Sequence, residues 1–212
     1  MKENKEKLME EVKKKVEKEK HNRIIISFFV VVGIIVVFFI AWNFLSTQSK
    51  TFEYRGVDFE ITEEIAPYRT EILIDETDLT TGIVTQIPYG FYIRKDPRKL
   101  GEIPFEGNLE LKKNMIIKSS AEFNCDGNGI IGIANLARLY NAMGIEIVNN
   151  NEVGCPENGE YMWLHIQEGN ETKIEKVGTA CYNMYVHNCE ILEATEKLMV
   201  ETFVRVNEVV EN

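Results

Sequence analysis

The clearest pattern in the chain is a long apolar run near its N-terminus. From Ile24 to Leu45, twenty-two residues carry no charge, and the clearly polar side chains among them are those of Ser27 and Asn43. At about 1.5 Å per residue, a helix of this length measures about 33 Å, enough to cross the hydrocarbon core of a bilayer. The pattern therefore predicts a transmembrane helix over residues 24–45.

The charges on either side of this run differ, and they predict its orientation. Residues 1–23 hold nine Lys and Arg against six Glu, a balance of +3, whereas the twenty residues after the run hold two basic residues, Lys50 and Arg55. Because cytoplasmic flanks carry the excess of basic residues, we expect a cytoplasmic tail over residues 1–23. Residues 46–212 should then form an extracytoplasmic domain of a single-pass membrane protein. A cleaved signal peptide is the alternative, but its apolar region would be shorter, about 7–15 residues.

Beyond the run, alternation of apolar and polar residues predicts strands in the first half of the exported domain. The pattern in residues 51–61 is broken by Arg55-Gly56 and indicates a β-hairpin. Three further strands are predicted, Thr70–Ile74, Ile87–Arg94 and Met115–Lys118. Pro and Gly punctuate residues 95–108, which we expect to form turns.

The apolar period then changes from two to three and four, which predicts a helix over residues 130–143. Asp126 or Asn128 can cap its start, and Gly144 ends the run. The segment EIV follows at once, so residues 115–148 indicate a strand, a helix and a second strand in a right-handed parallel crossover.

The same period predicts which face of this helix is buried. The expected core positions are Ile130, Ala134, Leu136 and Ala137. They should pack the helix across the two parallel strands of the crossover.

The last third of the domain continues the alternation and ends in a helix. Strands are predicted over Tyr161–Gln167, Thr172–Lys176 and Tyr182–His187, and an amphipathic helix runs from Glu190 to about Val209. The length of the exported part suits one domain with its own core. The fold class predicted is a transmembrane helix plus an α+β (mixed α/β) domain, with a mixed sheet, one βαβ crossover and a C-terminal helix.

All four cysteines, Cys125, Cys155, Cys181 and Cys189, lie in the exported domain. An even number of cysteines outside the cytoplasm favours disulfides. Zinc is the alternative, but the chain has no C-x-x-C pair, and His165 and His187 have no zinc-ligand spacing with the cysteines. We therefore predict two structural disulfides and no metal site.

The predicted strands restrict how these cysteines pair. If residues 182–187 are extended, Cys181 and Cys189 lie about 25 Å apart, well beyond the 4.4–6.8 Å between Cα atoms that a disulfide allows. Cys125 and Cys189 each precede a predicted helix at the end of a strand, so a shared sheet edge would pair them and leave Cys155 for Cys181. The other connectivity stays open.

Charge limits the class of partner. The remaining fifteen basic and twenty-eight acidic residues all follow the apolar run, which gives the exported domain a balance of −13. A domain of that sign repels phosphate backbones, so we expect no nucleic-acid partner.

A glycine-rich segment begins the predicted helix. Residues 127–132 match G-x-G-x-x-G, but the fingerprint should follow its strand directly, and here SSAEFNCD intervenes. A glycine-rich turn beside Cys125 explains the same letters, so we expect no dinucleotide or other cofactor. An anion site at the helix N-terminus, on Asn128 and Gly129, remains a hypothesis.

Few other residues indicate chemistry. His165 and His187 lie on or at the end of predicted strands with no nucleophile motif beside them, which indicates packed or edge histidines. Asn170 begins the single N-x-S/T sequon, in a turn between strands, and is a predicted glycosylation acceptor. No catalytic residue can be assigned.

The segments FNCDGNGIIGIANLARLYNAMGIEIV and CYNMYVHNCEILEATEK resemble uncharacterised proteins of DPANN-type archaea with a single span and an exported domain. The resemblance covers about the last hundred residues, and it implies a membrane anchor and a cysteine-bearing domain. It implies no activity and transfers no functional residue.

Together these features favour a non-catalytic subunit of the cell surface or of an envelope complex. The lipid bilayer and a membrane or cell-surface protein are its expected partners. The alternative is an extracytoplasmic enzyme whose site is not readable from sequence. A deep pocket with convergent polar groups would favour the enzyme, and an apolar patch would favour the binding subunit.

Overall fold

The computed structural model describes residues 27, 29–42, 50–77, 82–149 and 154–210. The chain divides into two compact units, Met1–Lys50 and Thr51–Asn212. The predicted tail over residues 1–23 lies outside the described residues.

In the first unit, residues 29–42 form a helix, α1, whose side chains are exposed. The predicted span over residues 24–45 extends past the described residues at both ends. Among the residues described, no helix combines the length and the apolar character needed to cross a membrane.

The second unit begins with a four-stranded antiparallel sheet of order β1-β2-β3-β4. Its strands are β1 Thr51–Tyr54, β2 Val57–Ile61, β3 Tyr68–Thr77 and β4 Val84–Ile93. The predicted opening hairpin is confirmed, because β1 and β2 pair across a turn in which Arg55 and Gly56 both have positive φ. β3 and β4 pair over ten residues each, longer than the sequence pattern indicated.

A second sheet has six strands in the order β5-β9-β10-β8-β6-β7. The strands are β5 Phe105–Glu106, β6 Asn114–Ser119, β7 Glu146–Ile147, β8 Met162–Glu168, β9 Lys173–Gly178 and β10 Cys181–Val186. β7, β6, β8 and β10 are parallel neighbours, whereas β9 is antiparallel to β10. The prediction of a mixed sheet is therefore confirmed.

The described residues of this unit form three α-helices, α2 Pro97–Leu100, α3 Asn128–Ala142 and α4 Ile191–Val210. α3 joins β6 to its parallel neighbour β7, which confirms the predicted crossover. α4 contacts β2 and β3 of the first sheet and β9 and β10 of the second, so it lies between the two sheets. Phe91 of β4 and Phe203 of α4 have ring centroids 5.8 Å apart within this shared core.

The segment expected to form turns has structure of its own. Asp96 caps α2 by accepting a hydrogen bond from the Arg98 amide, with Pro97 at the first helical position. β5 then pairs in parallel with β9, about seventy residues away in the chain. Such a non-local partner cannot be read from the local alternation of side chains.

Candidate functional site

The two disulfides join Cys125 to Cys189 and Cys155 to Cys181, with Cα–Cα distances of 5.5 and 5.8 Å. This is the connectivity that the sequence favoured. Cys125 and Cys189 both have positive φ, in the turns that lead into α3 and α4. The first disulfide therefore fixes the starts of the two helices side by side, as an oxidising compartment outside the cytoplasm allows.

The turn before α3 corrects the predicted cap. Neither Asp126 nor Asn128 caps the helix, because its N-cap is Gly127, in a left-handed conformation and without a side-chain hydrogen bond. The amide of Asn128 donates to the Cys125 carbonyl, and that of Gly129 donates to the Asn124 carbonyl at 3.3 Å. Both amides of the predicted anion site are thus engaged within the fold.

Two glycines of the G-x-G-x-x-G segment serve close packing. A Cβ at Gly129 would lie 1.6 Å from the carbonyl oxygen of Phe123, and one at Gly132 would lie 2.4 Å from the hydroxyl oxygen of Thr195 on α4. Glycine is therefore required where α3 meets the preceding turn and where it meets α4.

This close packing rotates the buried face of α3 away from the predicted one. Leu136 is fully buried, as expected, but Ile130 is 71% exposed, Ala134 is exposed and Ala137 is half-buried. The buried positions are those on the glycine side of the helix, namely Gly129, Gly132, Leu136, Leu139 and Tyr140. The predicted core positions Ile130 and Ala134 are therefore wrong, because the glycines let α4 approach the opposite side.

The exposed face of α3 forms one wall of a cleft of about 340 Å³. The rest of the lining comes from β4 and the residue after it, from the loop before β3 and from α4. Ten residues line it: Ala66, Phe91, Tyr92, Arg94, Ile130, Ile131, Ala134, Asn135, Arg138 and Met199. They include no Asp, Glu, His, Cys, Ser or Lys, so these ten side chains offer neither a usual general base nor a usual nucleophile.

Two arginines give the cleft its charge. Arg138 donates from Nε to the Tyr89 hydroxyl at 3.2 Å, and its guanidinium lies 5.3 Å from the Tyr89 ring centroid and 6.0 Å from that of Phe91. Within the described part of the chain, neither Arg138 nor Arg94 forms an ion pair. The other arginines described there each pair with a carboxylate: Arg55, Arg69, Arg98 and Arg205. The cleft thus presents two cations whose charge is not neutralised by a neighbouring acid.

A buried carboxylate holds the backbone on which one of these arginines stands. Glu196 of α4 accepts hydrogen bonds from the amides of Arg94 at 2.7 Å and Lys95 at 2.8 Å. Burial raises the pKa of Glu196 to about 7, although these two hydrogen bonds act in the opposite direction. The turn after β4 is therefore fixed to α4, which positions Arg94 at the cleft.

Outside the cleft, Ser120 and His165 share a hydrogen bond between Oγ and Nε2. The ring of His165 packs against Trp163 in a tilted arrangement, with centroids 5.2 Å apart and an interplanar angle of 40°. A Ser–His contact is one part of a nucleophilic site, but over the residues described no hydrogen bond joins the imidazole to an orienting carboxylate. This pair was missed from sequence because Ser120 follows β6 and His165 lies in β8, forty-five residues later in the chain.

The other polar residues singled out in the sequence have structural partners. His187 donates from Nδ1 to the Gly169 carbonyl at 3.1 Å, which makes it an edge histidine at the end of β10. Asn170 is exposed in the turn between β8 and β9. The sequon hydroxyl, that of Thr172, is buried and hydrogen bonded to His187 and Glu190. The hydrogen bonds of Thr172 thus give this residue a structural role, and glycosylation of Asn170 stays a prediction.

Over the described residues, no group of three or more His, Cys, Asp or Glu side chains is arranged to hold a metal ion. Comparison with protein-family models, curated proteins and solved structures found no match to this chain. The resemblance to exported-domain proteins of DPANN-type archaea therefore stays a prediction.

Proposed function

We propose that this chain is a membrane-anchored, extracytoplasmic binding subunit that holds its partner in the cleft between α3 and β4. The observation that carries the proposal is the combination of exposed apolar side chains and two unneutralised arginines in one concavity. Although the domain has a balance of −13, neither of these arginines pairs with a carboxylate in the described structure.

The composition of the cleft supports binding over catalysis. Ile130 and Ala134 supply exposed apolar surface beside the buried Phe91 and Met199, and Asn135 and the arginines supply the few polar groups that orient a ligand. Exposed apolar side chains grouped in one place are typical of an interaction site.

The anchor and its orientation belong to the same proposal. Support comes from the uncharged run of residues 24–45, the basic tail before it and the two disulfides in the domain after it. Protease added outside intact cells or spheroplasts should digest residues 46–212 and spare residues 1–23. Digestion of the tail alone would show that the orientation is the opposite of the one proposed.

Site-specific photocrosslinking in native membranes tests the cleft. A benzophenone side chain introduced at Ala134, on the exposed wall of α3, should give a discrete crosslinked species under irradiation. Val177 on β9 is also exposed and lies in the other sheet, so it is the matched control position. Equal crosslinking at both positions, or none at Ala134, would exclude the cleft as the binding site.

A second candidate function is that of an extracytoplasmic hydrolase, favoured by the Ser120–His165 hydrogen bond. A serine activated in this way should react with a fluorophosphonate probe and lose that reactivity in Ser120→Ala. We expect no labelling above that of the Ser120→Ala variant, because the described structure lacks the third member of such a site.

A further inference from the structure

We propose that the partner enters the cleft as an extended segment that adds as a fifth strand to the free edge of β4. This inference rests on the proposed function, since it names the occupant of the same cleft. The segment it requires has an apolar centre and an acidic residue toward each end.

The position of β4 in its sheet leaves one side of the strand open. β4 pairs with β3 along its whole length, from Ile93 opposite Tyr68 to Val84 opposite Thr77. It is the last strand of the order β1-β2-β3-β4, and no strand of the described structure pairs with its other side. An edge strand of ten residues is a template for another chain.

The backbone groups of β4 that point to this open side can be assigned. Pro88 has no N–H, and a proline in a paired strand is tolerated where that position points away from the ladder. The Arg94 amide also points away from β3, because it donates to Glu196 of α4. Successive residues of an antiparallel strand direct their N–H and C=O groups to opposite edges of the strand. Gly90 and Tyr92 lie an even number of residues from Pro88 and Arg94, so their N–H and C=O groups also point toward the open edge.

Phe91 and Tyr92 have side chains on opposite faces of the sheet and both line the cleft, which places the cleft along the open edge of β4 with α3 opposite. Tyr92 and Phe91 line the cleft on the strand side, and Ile130 and Ala134 line it on the helix side. A segment bonded to Gly90 and Tyr92 would place alternate side chains against this apolar wall. The mode of recognition is main-chain pairing for affinity, with side-chain contacts for specificity.

The two arginines lie at different positions along β4 and the turn after it. The Arg138 guanidinium contacts Tyr89 and lies 6.0 Å from the Phe91 ring centroid, and Arg94 comes five residues after Tyr89 and three after Phe91. At about 3.3 Å per residue, three to five extended residues span about 10–17 Å. An extended segment of that length can place one side chain near each arginine.

Charge selects the ends of that segment. Guanidinium groups bind carboxylates through paired hydrogen bonds, and each such charge-assisted contact strengthens binding appreciably. Acidic side chains at the two ends of an apolar segment would meet Arg94 and Arg138, which the described structure leaves without carboxylate partners.

The test uses the purified full-length chain in detergent micelles and a displayed library of random decapeptides. Selected peptides should share apolar residues at alternate positions with flanking Asp or Glu. Affinity of the selected peptides should fall about tenfold or more in the Arg94→Gln/Arg138→Gln double variant. Arg205→Gln, an exposed arginine on α4 paired with Glu208, is the matched control and should change affinity less than twofold.

Two further measurements separate strand addition from other modes of binding. The amides of an extended peptide point alternately to its two edges, and only one edge can pair with β4. N-methylation of the amides on that edge should abolish binding, and N-methylation of those on the opposite edge should leave the affinity unchanged. Ala134→Trp should fill the cleft and also abolish binding, while its melting temperature reports whether the domain remains folded.

The outcomes distinguish this inference from the proposed function. If no selected peptide depends on the two arginines, or if binding survives N-methylation of each edge in turn, strand addition is overturned. If octanoate or octyl phosphate binds in a way that Ala134→Trp blocks, while no peptide does, the cleft is a site for a small amphipathic anion. The proposed binding function then stands and this inference fails. If photocrosslinking at Ala134 also fails, both are lost.

Discussion

The two long helices of the domain, α3 and α4, differ in which side chains they bury. α4 buries charged side chains, among them Glu196, Lys197 and Glu201, whereas α3 exposes the apolar Ile130 and Ala134. The difference follows from position, because α4 lies between the two sheets and α3 keeps one face open. In this domain, the position of a helix relative to the two sheets thus determines which of its side chains are buried more than their polarity does.

Residues 194–204 of α4 are all buried between the two sheets, so each polar group in this stretch needs a partner inside the protein. Lys197 pairs with Glu201 at 3.0 Å, and Glu201 also pairs with Arg55 of the β1–β2 turn. Thr195 and Thr202 donate to carbonyls one turn earlier in α4. These contacts satisfy the buried groups, as a low-dielectric interior requires.

The largest expected effect comes from breaking the buried ion pair. Glu201→Ala should lower the free energy of unfolding by about 3–5 kcal/mol, because it leaves Lys197 buried without its counter-ion. Denaturant unfolding of the domain measures this.

Replacing both charges is the control for this effect. Lys197→Met/Glu201→Leu should recover most of the lost stability, since an apolar pair of similar volume is often neutral or stabilising. If the double variant is as unstable as Glu201→Ala, the loss comes from packing or from the Arg55 contact, and not from the unpaired lysine.

The next prediction sharpens the contrast between the two faces of α3. Leu136→Ala should cost about 2–5 kcal/mol, because Leu136 is fully buried and its truncation leaves a cavity. Ile130→Ala should change stability by less than about 0.5 kcal/mol, as exposed substitutions do. Equal costs at the two positions would mean that the α3 face lining the cleft is part of the core.

The sequence predicted most elements of the domain because their signals are local. Alternation identified the hairpin of β1 and β2, and a change of period identified α3 and α4. β5 was missed because it is two residues long and exists through pairing with β9. Local periodicity finds elements and cannot find their partners.

The candidate site was harder to predict for the same reason. The spacing of Ile130, Ala134 and Leu136 is compatible with two different buried faces. The choice between them depends on Gly132 approaching Thr195, sixty-three residues later in the chain. Two glycines on one side of a helix were the available signal, because they indicate close approach of another backbone on that side.

A pH dependence follows from the carboxylate buried on α4. The pKa of Glu196 in the folded protein is about 7, above its ordinary value of 4.5, so the folded state binds a proton more tightly than the unfolded state. Stability from this group is fully present below pH 4.5 and is lost as the pH rises to about 7. The shift corresponds to a loss of about 3 kcal/mol across that window.

Glu196→Gln isolates this dependence because it removes the titrating group and retains the size of the side chain. The variant keeps one of the two side-chain oxygens that accept from the Arg94 and Lys95 amides, and its unfolding free energy should vary less with pH between 4.5 and 7 than that of the parent. Parallel pH profiles for the two proteins would show that Glu196 does not titrate in this window.

The smallest expected effect concerns the contact between Gly132 of α3 and Thr195 of α4, which places the buried face of α3 against α4. Gly132→Ala places a methyl group 2.4 Å from the Thr195 hydroxyl oxygen, so the two helices must move apart, at a cost of about 1–3 kcal/mol. Removing the Thr195 hydroxyl should relieve this clash. In Gly132→Ala/Thr195→Ala the nearest atom of residue 195 is Cβ, at 3.3 Å from the new methyl group. The double variant should therefore be more stable than the sum of the two single changes predicts, by about 0.5–3 kcal/mol in a double-mutant cycle. Strict additivity would mean that α3 and α4 are not held together at this contact, and the exposed face of α3 would then need a cause other than the close approach of α4 at Gly132.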